Sequence, residues 1–233
     1  MIINAVKTRF FLLYYLLFCT YATITLADDR SLQGSELRKN NEIRIAVMGD
    51  SLSAAYYIPL ESGWVSLLGE RLQQRFPDDN VELRNASISG ATTAAGLQTL
   101  PAVLKEFKPQ IVILEMGGND GLQGKPVSLI KENLRKLIVL SEQHEAEVLL
   151  VGMRLPPNLG SRYTEPFFQN FAQLAEEYQL AYVPFLLEGV ATVPGLMQSD
   201  GIHPTAEGQP QMLENVWPTL EALIASKVQA EDQ

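Results

Sequence analysis

The chain has 233 residues, 46% of them hydrophobic, and a formal net charge of −9. That length and composition fit one globular domain with a full core, and the acidic balance argues against a nucleic-acid partner, which calls for a basic face. A single cysteine, Cys19, excludes an internal disulfide and a paired-cysteine metal site.

The first 27 residues read as a targeting segment. Lys7 and Arg9 precede an apolar run from Phe10 to Cys19, and Thr25-Leu26-Ala27 ends in a small residue before Asp28. This is the pattern of a secretory signal peptide cleaved after Ala27, and it implies a periplasmic or secreted protein. An uncleaved anchor is disfavoured because the run is short for a bilayer core of about 30 Å. Lipid attachment at Cys19 is disfavoured by the bulky Phe18. Cleavage removes Cys19 and two cations, so the mature charge falls to −11. Residues 28–42 read as a polar leader, and 43–228 as the domain.

Within the domain, Ile43–Met48 is a short apolar, β-branched strand. Trp64 to Phe76 carries apolar residues at helical spacing. Val81–Arg84 reads as a strand running into the small-residue loop Asn85–Gly90. Thr93 to Phe107 reads as a helix started or bent near Pro101. Ile111–Met116 is the most strand-like run, followed by Gly117-Gly118-Asn119-Asp120-Gly121. Leu129–His144 is helical, Glu147–Gly152 a strand, and Arg154–Glu165 a long loop with Pro and Gly. Phe167–Tyr178 is helical, Ala181–Leu186 a strand, and Thr205–Ala225 a last helix. Strand and helix alternate throughout, so the domain is an α/β fold with a parallel five-stranded sheet covered on both faces. The Gly/Ser/Asn-rich loops all follow strands. They therefore share the carboxyl edge of the sheet, where open α/β sheets place ligands.

Gly49-Asp50-Ser51 follows the first strand. Gly49 lets the backbone turn sharply, and Ser51 would face the cleft. Of the histidines, His144 lies at a polar helix end and reads as a surface residue. His203 sits in Asp200-Gly201-Ile202-His203-Pro204, with Pro204 suited to a first helical position. Asp200 is close enough in the turn to reach Nδ1, fix the tautomer and leave Nε2 as a base. A plain helix cap is the competing reading. A serine needs such a base to become a nucleophile, and the resulting oxyanion needs donors. Gly90 offers an open N–H and Asn119 a neutral amide, although each alone reads as an ordinary turn residue. Position 53 is Ser, so the G-x-S-x-G elbow is absent. H-E-x-x-H, P-loop and G-x-G-x-x-G patterns are absent too.

Four blocks, Gly49–Ser53, Asn85–Gly90, Gly117–Gly121 and Asp200–Pro204, resemble those of the SGNH (GDSL) hydrolase superfamily, in its order. Met153–Asn158, Arg162-Tyr163 and Val183-Pro184-Phe185 resemble its periplasmic thioesterase I / lysophospholipase / arylesterase branch. The resemblance implies a flavodoxin-like three-layer α/β/α sandwich. It implies Ser51 as nucleophile, His203 as base and Asp200 as its orienting partner, with Ser51 N–H, Gly90 and Asn119 as oxyanion donors. The loop from Asn119 to about Gly124 resembles a segment that moves in relatives. Ala91 and Ala55 depart from the pattern, where Asp and Gly are usual.

The expected function is hydrolysis of acyl esters or thioesters through an acyl-enzyme, with no cofactor and no metal. Leu122, Leu155, Pro156 and Phe167 are candidate acyl-pocket residues. The expected partner is a small-molecule ester, with transient contact with membrane lipids and a monomeric state. Lysophospholipids suit an exported enzyme better than acyl-CoA. The rival readings are a glycan or peptidoglycan O-acetyl esterase and a non-catalytic lipid or glycan binder.

Overall fold

The computed structural model describes residues 42–77 and 80–231. The expected signal peptide and the leader up to residue 41 lie outside the described residues. The chain runs β1 (Glu42–Gly49), α1 (Trp64–Arg75), β2 (Asn80–Asn85), α2 (Thr93–Phe107), β3 (Ile111–Glu115), a short α3 (Gly118–Leu122), α4 (Val127–Glu142), β4 (Glu147–Val151), α5 (Ser161–Tyr178), β5 (Ala181–Val183) and α6 (Gln209–Glu231). The five strands are all parallel, in the order β2-β1-β3-β4-β5. This is the flavodoxin-like order, whose direction reverses between β1 and β3.

Alternation along the strands builds two cores. Ile43, Ile45 and Val47 of β1 point to one face and pack with Trp64, Leu68 and Leu72 of α1 and Met212, Val216 and Leu220 of α6. Met48, Val112, Leu114, Val148 and Leu150 point to the other, against α2, α4 and α5. Every residue of β3 is buried, as a central strand covered on both faces requires. In α5 the buried residues Phe167, Asn170, Phe171 and Leu174 recur at three- and four-residue spacing. Phe167 is therefore core, in edge contact with Phe171, and does not line an acyl pocket.

Several element limits differ from the sequence reading. Helix α5 begins at Ser161, inside the expected loop, with Gly160 (φ +84°) as a cap that makes no side-chain hydrogen bond. Helix α2 runs unbroken through Pro101. Strand β5 is only three residues long. Pro204 is not the first helical position. It pairs with Met197 in an isolated antiparallel bridge, and α6 starts after a 3₁₀ turn at Ala206–Gly208.

Candidate active site

The loops after β1, β2 and β3 meet at the carboxyl edge, where the sheet order reverses. Ser51 opens an irregular turn held by Ala54 N–H on Asp50 O (3.0 Å) and Tyr56 N–H on Ser51 O (3.3 Å). Gly49 owes its identity to space and not to an unusual φ. A Cβ there would lie 2.6 Å from Glu115 Oε2 and 2.8 Å from Ser53 Cβ.

His203 arrives from the far end of the chain. Its loop is fastened by Gln198 N–H on His203 O (2.8 Å) and Thr205 N–H on Leu196 O (2.9 Å). Gln198 Nε2 also donates to Tyr56 O at 3.0 Å, tying this loop to the Ser51 turn. Asp200 Oδ1 accepts the N–H groups of Ile202 (2.9 Å) and His203 (3.0 Å). That turn leaves Oδ2 2.6 Å from His203 Nδ1. Burial alone would lift the Asp200 carboxyl. The imidazole bond and the two backbone N–H bonds outweigh it and hold the carboxyl down at about 2. With Nδ1–H given to the carboxylate, Nε2 carries the lone pair, and it lies 2.9 Å from Ser51 Oγ. The Tyr56 ring packs on the imidazole at 4.3 Å between centroids.

The expected oxyanion donors converge on the same edge. Gly90 has φ +79°, a conformation that favours glycine, and its Cβ direction is open. Among the described residues, neither Ser51 N–H nor Gly90 N–H is engaged in a hydrogen bond. Asn119 Nδ2 faces two acceptors, Asp50 Oδ2 at 3.0 Å and Ala91 O at 3.1 Å. Gly117 (φ +119°) makes the turn that places Asn119 on α3. Asp120, fully buried, accepts Thr93 N–H at 2.6 Å and pins that turn to the start of α2.

Beneath Ser51 lies a pair of acids that sequence reasoning did not single out. Glu115 Oε2 accepts Ser53 Oγ–H at 2.6 Å and Asp50 N–H at 3.2 Å. Burial, then the neighbouring Asp50 charge, pushes the Glu115 carboxyl well above the usual range. Asp50 is 2% exposed. Burial lifts its carboxyl to about 6, against the lowering effect of the Leu52 and Asn119 hydrogen bonds. The one available signal was Asp50's position beside Ser51.

A cavity of about 360 Å³ opens from Ser51, Asn119 and His203, within the range of about 300–1,000 Å³ usual for small-molecule pockets. Leu122, Leu155 and Pro156 line it, joined by Leu52, Met153, Phe185, Met197 and Ile202. Arg154 also lines it, with its guanidinium 3.7 Å from the Phe168 ring centroid. His144 is exposed, with Nδ1 2.9 Å from Leu140 O at a helix end. Among the described residues, no group of three or more His, Cys, Asp or Glu is arranged to hold a metal.

A hydroxyl, an imidazole and a carboxylate stand in hydrogen-bonded sequence at the switch point of a parallel sheet, and the chain is a serine hydrolase. The chain belongs to the GDSL-like lipase/acylhydrolase family, which matches residues 47–210. It is an ester-hydrolysing member of that class. Esterase TesA of Pseudomonas aeruginosa is 48% identical over 182 residues, covering 77% of this chain and 89% of that protein. The arylesterase of Vibrio mimicus is 44% identical over 173 residues, covering 74% and 86%. Thioesterase 1/protease 1/lysophospholipase L1 of Escherichia coli K12 is 38% identical over 180 residues, covering 77% and 84%. A crystal structure of TesA matches with a TM-score of 0.74 at 47% identity, covering 77% of this chain and 99% of that one.

Proposed function

We propose that this protein hydrolyses carboxylic esters and thioesters of acyl chains through a Ser51-His203-Asp200 triad. Ser51 Oγ attacks the carbonyl carbon while its proton passes to His203 Nε2. Asp200 holds the imidazolium that forms. The carbonyl oxygen becomes an oxyanion, met by Ser51 N–H, Gly90 N–H and Asn119. His203 returns its proton to the leaving alcohol or thiol, and the acyl group stays on Ser51. Water, deprotonated by His203, then releases the acid and restores the serine. None of these steps calls for a cofactor.

The observation that carries the reading is the chain of short contacts from Asp200 Oδ2 to Ser51 Oγ, opening into a largely apolar cavity. An acyl tail gains about 0.8 kcal/mol per buried CH₂, so apolar walls favour acyl chains over acetyl groups. The substrate we favour is a lysophospholipid or a similar acyl ester. Tyr57 and Leu60 after β1, Ile88 after β2 and Leu122 after β3 are large apolar side chains exposed on the same edge. They supply a surface for transient contact with lipid aggregates. All five proposed catalytic and oxyanion residues come from one chain, so a monomer suffices. The amino-terminal signal-peptide pattern supports a periplasmic or secreted location.

The test is a chain-length series of p-nitrophenyl esters, with acyl-CoA and lysophospholipid alongside. Rising kcat/KM from acetate to medium chains is expected. A preference confined to acetate would overturn the acyl-chain reading in favour of an O-acetyl esterase.

A further inference from the structure

Asp50 takes no part in the proton path from Ser51 to Asp200, yet it is among the most buried polar groups of the site. Its two oxygens serve two different segments. Oδ1 accepts Leu52 N–H at 3.0 Å, within the turn that carries Ser51. Oδ2 accepts Asn119 Nδ2 at 3.0 Å, across 69 residues of sequence. One carboxylate thus spans the segments bearing the nucleophile and the amide of the oxyanion hole.

The amide nitrogen of Asn119 carries two hydrogens and faces two acceptors, Asp50 Oδ2 and Ala91 O. An incoming oxyanion must displace one of them. The bond to the buried carboxylate is charge-assisted, and such bonds are roughly twice as strong as neutral ones. The bond to Ala91 O is neutral, so it is the weaker of the two and the one an oxyanion displaces more readily.

We infer that Asp50 is a positioning residue that retains one Asn119 N–H bond throughout and aims the amide, while the N–H that rests on Ala91 O is the one that exchanges its acceptor for the oxyanion, the hydrogen staying on nitrogen. This rests on the reading of Asn119 as an oxyanion donor. It gives Asp50 a role in the transition state without contact with substrate. The Ala91 carbonyl, at a position where the family pattern differs, becomes the resting-state partner that yields.

The test is a double-mutant cycle of Asp50→Asn and Asn119→Ala, read as kcat and KM on one p-nitrophenyl ester. Asn119→Ala should lower kcat by about 10²–10³. No loss there would overturn the oxyanion reading itself, and this inference with it. Asp50→Asn keeps the acceptor for Leu52 but sets an NH₂ against the Asn119 NH₂. It should lower kcat on the order of 10- to 100-fold, with KM within about twofold. The double variant should be no slower than Asn119→Ala alone. Losses that multiply would mean Asp50 acts elsewhere and would overturn the inference while leaving the oxyanion reading intact.

If Asp50→Asn does not fold, wild-type protein gives the answer by NMR of the Asn119 side-chain amide. On phosphonylation of Ser51 by a fluorophosphonate, one of its two protons should shift and the other should stay. Both shifting, or neither, would overturn the inference. Absence of an adduct would overturn the serine-hydrolase mechanism and this inference together.

Discussion

His203 Nε2 lies 2.9 Å from Ser51 Oγ, across 152 residues of chain. Neither residue has that geometry by itself. The Ser51 turn and the His203 loop are joined by Gln198, which donates to Tyr56 O and Pro204 O. Residues at opposite ends of the domain are thereby held in hydrogen-bond contact.

Asp200→Asn should leave the Ile202 and His203 backbone bonds in place, since an amide oxygen can accept them. It should remove the anionic partner of Nδ1 and with it the preferred tautomer. We expect kcat to fall by about 10²–10⁴ with KM little changed. Steady-state kinetics on a p-nitrophenyl ester checks this, and a KM effect alone would contradict it.

The Asp50 carboxyl, lifted to about 6 from an ordinary 3.8, should mark the pH dependence of stability. Charged groups near it are Glu115 from β3, Asp120 from α3 and His203 from the loop before α6. A raised carboxyl favours the folded state below its unfolded pKa, and that contribution is lost as pH climbs through the folded value. Asp50→Asn removes this titration. The stability of wild type relative to the variant should therefore drop by about 1–3 kcal/mol between about pH 4 and pH 8. Urea unfolding at the two pH values measures it, and a constant difference would count against it.

Gly49→Ala places a methyl 2.6 Å from Glu115 Oε2 and 2.8 Å from Ser53, both packed beneath the Ser51 turn. Overpacking of this kind costs about 1–3 kcal/mol. In a domain of this size that is a fall in Tm of several degrees, about 2–4 °C per kcal/mol. Activity should fall as well, because relief of the clash moves the Ser51 turn. Thermal melts and kinetics on the same preparation test both.

Leu122→Ala trims the rim of the cavity proposed to take the acyl chain. Loss of apolar contact should lower kcat/KM for an octanoate ester several-fold, at about 0.8 kcal/mol per CH₂. Acetate, too short to reach the rim, should be hydrolysed as before. Equal losses on both esters would place Leu122 outside the acyl path.

Ala55 holds φ +55°, left-handed backbone that costs an L-residue roughly 1–2 kcal/mol. Glycine relieves that strain at an entropy cost of about 0.5–1 kcal/mol. Ala55→Gly should therefore raise Tm by about 1–3 °C, and a fall would show that the Ala55 methyl contributes more through packing.

The parts of the site legible in the sequence are those whose geometry is local. Asp200 and His203 share one turn, and three residues suffice to bring carboxylate to imidazole. Ser51, Gly90 and Asn119 each follow a strand, so alternation alone set them on one edge. Leu122, Leu155 and Pro156, which line the cavity beside them, follow β3 and β4 in the same way. What escaped depends on packing between distant segments. Glu115 meets Asp50 N–H across 65 residues, and as the last residue of a buried strand it carries no mark of that. Tyr56 packs against the His203 ring in a tilted contact across 147 residues of chain, a relationship that local pattern does not carry. The start of α5 was hidden because Gly160 gives no capping signature and Pro166 reads as a breaker. Phe167 was legible as apolar, but only packing shows it in the core.

The central claim is that Ser51 is a nucleophile activated by His203. The most direct measurement is to treat the folded protein, residues 28–233, with a fluorophosphonate at neutral pH and locate the adduct by mass spectrometry. We predict a single adduct on Ser51, lost in His203→Ala. No adduct, or labelling of Ser51 that persists without His203, would contradict the account.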